Sequence, residues 1–295
     1  MKIAIAGGSG FLGEPLVRAL LARGDDVVVL TRNPANVKAG RAVAWNGAWQ
    51  DEVASADAVI NLAGENVGEG RWTEERKRKI VDSRVQTTRS LIEALKTQPG
   101  RQRVLINAST IGFYGVRDDE TLDEQASTGA GFLADVVRQW EELARTAEDT
   151  ARVVILRFGV VLARDGGALG KMLLPFRLGV GGRLGSGEQW MSWVDRDDVI
   201  RMMLWIIDRG EARGVYNVTA PGPVRNRELT RALGTALHRP AVLPAPAFAL
   251  KLVFGEMADE MLLGGQRVLP VRAASEGFTF QYPTLGAALQ HALRA

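Results

Sequence analysis

Two rhythms of apolar and polar positions alternate along the first half of the chain. Short, nearly unbroken β-branched runs occupy 2–6, 26–31, 58–62, 103–108 and 152–158. Between them lie longer stretches whose apolar residues recur three and four apart, at 11–23, 73 to about 96, and around 132–147. The second spacing predicts helices, and the unbroken runs predict strands buried on both faces. Strand and helix in alternation predict an α/β fold with a doubly wound parallel sheet.

After Leu162 the rhythm changes, and RDGGALGKMLLPFRLGVGGRLGSGEQW reads as one helix between glycine-rich loops. A first lobe is therefore expected over 1–162, with 194–220 returning to it, and a smaller second lobe over 163–295. WVDRDDVIRMMLWIIDRG predicts an aspartate-capped helix, GVYNVT a strand, and RNRELTRALGTAL a helix with Asn226 as its N-cap. The proline-marked tail from Pro240 carries short helices, the last of them capped by Thr284.

The first strand runs into AGGSGFLGEPL, where Gly7, Gly10 and Gly13 keep a G-x-x-G-x-x-G spacing between strand and helix. That context raises the pattern above chance. The first glycine permits a tight turn, the second lets backbone approach a pyrophosphate, and the third lets helix pack on strand. Amides at the helix start, those of Phe11 and Leu12 among them, then meet the phosphates. The plainer alternative is a glycine turn without a ligand.

The second strand ends in Thr31 and Arg32, where an NAD site usually carries an acid. A guanidinium there suits a 2′-phosphate, so NADP(H) is expected before NAD(H); the alternative is a solvated arginine opening a loop. AVINLAG brings Leu62, Ala63 and Gly64 to the end of another strand, either against the adenosine side of the same cofactor or as an ordinary terminus.

Composition narrows the chemistry. The 295 residues are 46% hydrophobic and contain no cysteine, which excludes disulfides, thiolate metal sites and cysteine nucleophiles and leaves redox chemistry to a cofactor. Net charge is +3 with the signs interspersed, which argues against nucleic acid. In RWTEERKRKIVDSR, Glu74 and Arg78, like Glu75 and Lys79, stand four apart as pairs on a solvated helix. No apolar stretch reaches the roughly 18 residues of a membrane span, and the opening strand leaves no room for a secretory signal, so a soluble cytoplasmic protein is expected. The two histidines, His238 and His291, fall on late helices, and no metal is expected. GGALGKM lacks the spacing and the hydroxyl of a phosphate loop, and GGSGF is not a nucleophile elbow.

The glycine turn, NLAG, STIGFYG, LRFGVVL and WVDRDDV together resemble the extended short-chain dehydrogenase/reductase superfamily of nucleotide-sugar epimerases and dehydratases. More narrowly, NLAGENVGEGRWTEERKRKIVDSRVQTT, LLPFRLGVGGRLGSGEQWMSW and GEMADEMLLGGQRVLPVRAASEGFTFQYP resemble a bacterial epimerase-like subfamily with a small C-terminal domain of unknown function. The resemblance implies a Rossmann lobe, a smaller C-terminal lobe, a nicotinamide cofactor and a small-molecule substrate, a nucleotide sugar being the candidate.

Hydride chemistry in that superfamily uses Tyr-x-x-x-Lys on one helix face, the lysine lowering the tyrosine pKa. Four residues after the three tyrosines, Tyr114, Tyr216 and Tyr282, stand Asp118, Ala220 and Gly286. Aligning WEELA with the superfamily puts Leu133 and Val137 at the tyrosine and lysine positions.

The usual route is therefore not expected, and Thr110, Tyr114 and Glu65 are the candidate catalytic substitutes. Their plainer alternatives are a strand-end hydroxyl bonded to backbone, a core tyrosine and a solvated loop acid. Arg84 stands where the superfamily has an asparagine near the nicotinamide, as a cofactor contact or a salt bridge. Arg157 is a candidate anion contact and Val161 a candidate apolar wall. Two functions stay open: an oxidoreductase or epimerase with a non-tyrosine acid or base, and a non-catalytic NADP(H)-binding redox sensor or regulator.

Overall fold

A computed structural model describes residues 1–294. In chain order its first half comprises β1 (Lys2–Ala6), α1 (Gly13–Ala22), β2 (Asp26–Thr31), β3 (Arg41–Ala44), α2 (Trp49–Ala54), β4 (Ala58–Asn61), α3 (Glu74–Lys96), β5 (Val104–Thr110), β6 (Thr121–Leu122), α4 (Phe132–Arg145) and β7 (Arg152–Phe158). The second half adds β8 (Val160–Ala163), α5 (Gly167–Arg177), β9 (Trp190–Met191), β10 (Trp193–Asp195), α6 (Arg196–Asp208), β11 (Gly214–Val218), β12 (Val224–Arg225), α7 (Asn226–Leu237), α8 (Ala247–Phe254), β13 (Arg267–Val268), α9 (Val271–Ser275) and α10 (Leu285–Arg294).

Seven strands form one sheet in the order β11-β7-β5-β4-β1-β2-β3, every pairing parallel. The two-residue period of a strand sorts its side chains to opposite faces. Ile3 and Ile5 pack with Leu16 and Leu20 of α1 and with Met202 and Ile206 of α6. Ala4 and Ala6 face the other way, with Trp49 of α2 and Leu91 and Leu95 of α3. Each large side chain so buried contributes about 1.5–3 kcal/mol, which explains why these strands are apolar throughout.

The long apolar run VVILRFGVVLA does not continue as one strand. It breaks at Gly159, where a Cβ would lie 2.4 Å from the Ser192 carbonyl oxygen. β8 therefore leaves the sheet and pairs with β10, Leu162 opposite Asp195. The chain returns later, when β11 adds to β7 with Tyr216 opposite Leu156. A separate cluster of Leu162, Leu169, Phe176, Trp193, Leu233 and Leu289 fills the smaller C-terminal region.

Side-chain caps mark the starts of α3 and α6. Thr73 accepts from the Arg76 amide at 3.2 Å and opens α3, and Asp195 accepts from the Asp197 amide at 2.8 Å and opens α6. The N-cap expected at Asn226 lies one residue earlier, at Arg225, whose backbone amide donates to Glu228 at 2.7 Å. The Asn226 Oδ1 instead accepts from the Leu184 amide at 2.9 Å, so its polarity serves a tertiary contact. No helix among the described residues is long and apolar enough to cross a membrane.

Candidate functional site

β1, β4, β5 and β7 all end on the same edge of the sheet. The strand order reverses direction between β1 and β4, and this is where an open α/β sheet receives a ligand. Gly7 turns the chain off β1 with φ +81°, and a Cβ there would sit 2.8 Å from the Leu62 carbonyl carbon and 2.9 Å from the Ala63 nitrogen. At Gly13 a Cβ would come within 2.2 Å of the Gly7 oxygen. Gly10 differs: it is exposed, and its Cβ would meet only the Gly7 oxygen, at 3.2 Å. Gly7 and Gly13 are thus demanded by the protein's own packing, and Gly10 alone keeps an outward face bare. Leu12 follows as the N-cap of α1 and supplies no side-chain acceptor to the first-turn amides. The Phe11 ring lies under Gly166 and Gly167 and 5.3 Å from the Arg196 guanidinium, so the second half of the chain braces the turn.

At the end of β2 the Thr31 hydroxyl is bonded within its own turn, accepting from the Asn33 amide and donating to the Asn33 carbonyl at 3.2 Å. Arg32 is exposed and forms no ion pair among the described residues. Leu62 and Ala63 are half-buried against the Gly7 backbone and Gly64 is exposed.

Arg84 lies beneath this segment, about one-tenth exposed at 8%. Its Nη1 donates to the carbonyls of Glu65 at 3.1 Å and Ile80 at 3.0 Å, and its guanidinium carbon would be 3.2 Å from a Gly64 Cβ. No carboxylate pairs with it among the described residues, and burial lowers its pKa to about 10. Glu65 is held by Arg76 at 2.6 Å, and its backbone amide donates to the Ser83 hydroxyl at 3.0 Å.

Thr110 ends β5 half-buried, its Oγ1 accepting from the Gly112 amide at 3.0 Å. A Cβ on Gly112 would contact both this hydroxyl, at 2.8 Å, and the Leu133 Cβ, at 3.4 Å. Leu133 therefore stands next to Thr110, with buried Val137 one turn further along α4. Val161 of β8 is half-buried and paired with Val194.

Tyr114 and Arg157 occupy different surroundings from those expected of site residues. Arg157 and Glu141 form a two-armed ion pair, Nε to Oε1 at 2.8 Å and Nη2 to Oε2 at 2.7 Å, with side chains 3% and 4% exposed. The Arg157 Nη1 donates to the Tyr114 hydroxyl at 2.9 Å, which donates to Asn217 Oδ1 at 2.8 Å; Ser109 donates to Glu141 at 2.5 Å. Burial raises the Tyr114 pKa against the opposing pull of Arg157, so the phenol is no acid or base near neutrality. Burial also opposes the Arg157 charge, yet the Glu141 bonds prevail and its pKa lies above the ordinary value. Arg157 is committed to this carboxylate and Tyr114 is fully enclosed. The reason is topological: β7 and β11 are neighbours, so the end of β7 lies inside the sheet edge and β11 brings Asn217 over it.

Two polar features went unread in the sequence. Asn61 donates to Thr88 at 2.9 Å and to Asn107 at 2.8 Å, and the Trp140 indole donates to the same Thr88 hydroxyl at 2.8 Å. An asparagine within each of the apolar runs AVINL and VLINA was the available signal. Glu260 caps α4 from the far end of the chain, accepting from the Phe132 and Leu133 amides at 2.8 and 2.9 Å. It comes from a π-helical turn at Ala258–Leu263, and neighbouring Glu256 pairs with Lys77 of α3 at 2.6 Å. The C-terminal region is thereby fastened beside Leu133. Two concavities of about 840 and 700 Å³ border α7 and do not touch the glycine turn.

A seven-stranded parallel sheet with a glycine turn at its switch point defines a dinucleotide-binding fold of the Rossmann class. The chain belongs to the NAD dependent epimerase/dehydratase family, which matches residues 3–219; a Domain of unknown function (DUF1731) matches 245–292. It is 37% identical to the human epimerase family protein SDR39U1 over 98% of this chain and 99% of that one. It is 41% identical to an epimerase family protein of Mycobacterium bovis, over 98% and 97%. The crystal structure of the human protein with NADPH superposes with a TM-score of 0.91 at 35% identity, covering all of both chains. A nucleoside-diphosphate sugar epimerase from Corynebacterium glutamicum superposes at 0.78 and 33% identity, over 99% of this chain and 57% of that larger one.

Proposed function

We propose that this chain binds NADP(H) at the glycine turn and acts on a small polar substrate, a nucleotide sugar or similar compound, by hydride chemistry without a tyrosine acid–base. The observation that carries the reading is the contrast at one sheet edge: Gly10 is exposed and bare and α1 starts without a side-chain cap, while no tyrosine stands four residues before a lysine and Leu133 and Val137 align with that pair. Arg32, without an ion pair, is the group for the 2′-phosphate, in keeping with NADPH in the human relative. Arg84 adds a buried positive charge with no carboxylate of its own, which favours an anionic neighbour above Gly64.

In this reading Thr110 orients the substrate, since its hydroxyl still has a proton to donate. Glu65 handles the proton, once released from Arg76. Leu133 and Val137 exclude water beside the nicotinamide. The bound dinucleotide supplies the hydride. A non-catalytic NADP(H)-binding regulator is the second reading, favoured by the enclosure of Tyr114 and the pairing of Glu65.

The test is titration with NADPH and NADH followed by fluorescence, then single-turnover oxidation of bound NADPH against a panel of nucleotide sugars and simple carbonyl compounds. At least tenfold tighter NADPH binding is expected, with oxidation abolished in Thr110→Val and Glu65→Gln. Equal affinities overturn the assignment of Arg32. Tight binding with no oxidation by any member of the panel favours the regulator.

A further inference from the structure

Beside β8 and β10, the C-terminal helix brings an imidazole against two carboxylates. His291 Nε2 of α10 lies 2.8 Å from Asp197 Oδ2 and 3.9 Å from Asp195 Oδ1, and one ligand atom from each of the three residues lies within 4.8 Å of the others. Asp195 is 1% exposed; Oδ1 accepts from the Asp197 amide, and Oδ2 is buried with no hydrogen-bond partner. A small cavity of about 20 Å³, bordered by Asp195, Asp197, His291 and Leu162, lies at this point. A buried carboxylate oxygen without a donor is costly, and something must meet it.

We propose that Asp195, Asp197 and His291 form a divalent transition-metal site, for Zn²⁺ before Mn²⁺, that fastens α10 to the start of α6. Two carboxylates and one imidazole, with no thiolate, form a three-ligand set that leaves a fourth position for water. Zinc bonds of about 2.0–2.2 Å set tetrahedral ligand atoms roughly 3.4 Å apart. The two separations from His291, 2.8 and 3.9 Å, lie on either side of that value, and the carboxylate oxygens of Asp195 and Asp197 lie within 4.8 Å of each other.

The surrounding charge permits a cation. Arg196 is paired with Asp165 at 2.5 Å, and Arg201 with Asp198 at 2.7 Å. With Arg164, which also borders the cavity, three guanidiniums meet four carboxylates before any metal enters. Tyr282 stacks on His291 with ring centres 4.1 Å apart and holds the imidazole plane. Arg196 also stands over Phe11, so the site adjoins the brace of the glycine turn.

The experiment uses tag-free, EDTA-dialysed full-length protein titrated calorimetrically with ZnCl₂ and MnCl₂, with thermal melts in parallel. One saturable Zn²⁺ per chain is expected, with Mn²⁺ weaker. His291→Ala and Asp197→Asn should each lower affinity at least tenfold and abolish the Zn²⁺-induced rise in Tm, while His238→Ala changes neither. No saturable equivalent, or one that survives both substitutions, overturns the site and leaves Asp195 Oδ2 to a proton.

Discussion

The two ends of the proposed cofactor track are built on opposite principles. At the phosphate end the protein leaves room for a ligand: Gly10 is bare, Leu12 offers no side-chain cap, and Arg32 has no acid. At the chemical end nearly every polar group is satisfied by another: Arg157 by Glu141, Tyr114 by Arg157 and Asn217, Asn61 by Thr88 and Asn107. Open backbone amides are a binding device, whereas a closed network of buried charges is a scaffold whose members are not free to exchange protons. The glycine turn keeps an open face at the sheet edge, whereas Tyr114 and Arg157 belong to the core.

The sharpest way to break that contrast is to open the scaffold. Glu141→Gln leaves the Arg157 guanidinium buried and unpaired, which costs about 3–5 kcal/mol. Urea unfolding should show it as a large drop in midpoint at unchanged slope. Tyr114→Phe removes two hydrogen bonds from a satisfied network and should cost about 1–2 kcal/mol. If Tyr114→Phe instead abolished oxidation of NADPH in a folded protein, the phenol would be chemical after all and the comparison would fail.

The glycines separate folding from binding within a single turn. Gly13→Ala drives a Cβ to 2.2 Å from backbone oxygen and should destabilise the protein by roughly 3 kcal/mol or more. Gly10→Asp meets little protein but sets a carboxylate at the proposed phosphate site. Unfolding should move by about 1 kcal/mol or less, while NADPH affinity falls about 100-fold, some 2.7 kcal/mol. Arg32→Ala comes next in size: about tenfold in NADPH affinity, near 1.4 kcal/mol, with NADH unaffected.

The same contrast explains what the sequence made legible. Parallel strands buried on both faces write themselves as apolar runs, and the glycine turn is local, so both could be read residue by residue. β3 and α2 were not foreseen, because RAVA is a four-residue edge strand with half-buried positions and leaves little periodicity to read. The scaffold was illegible for another reason. Arg157, Glu141, Tyr114 and Asn217 come from four separate segments, and whether an arginine at a strand end meets a phosphate or a carboxylate depends on which strand lands beside it. Glu260, more than a hundred residues from the helix it caps, and His291, brought to Asp195 by the last helix, share that non-local origin.

The smallest effect serves as a control at the opposite edge of the sheet. Glu52 of α2 joins Arg41 at 2.6 Å and Lys2 at 2.7 Å, where β3 and β1 begin, far from the strand ends that form the site. The bond from Arg41, with help from Lys2, lowers its pKa to about 2. A depressed carboxylate contributes stability in full above the ordinary value of 4.5, and that stability is lost as pH falls from there toward 2. The cluster is partly open to solvent, so screening reduces the contribution to about 1 kcal/mol. Glu52→Gln should therefore flatten the acid limb of the stability profile by that amount and leave neutral NADPH affinity unchanged. A change in affinity would mean that the two edges of the sheet are coupled, and that the division between binding turn and scaffold is less local than the hydrogen bonds indicate.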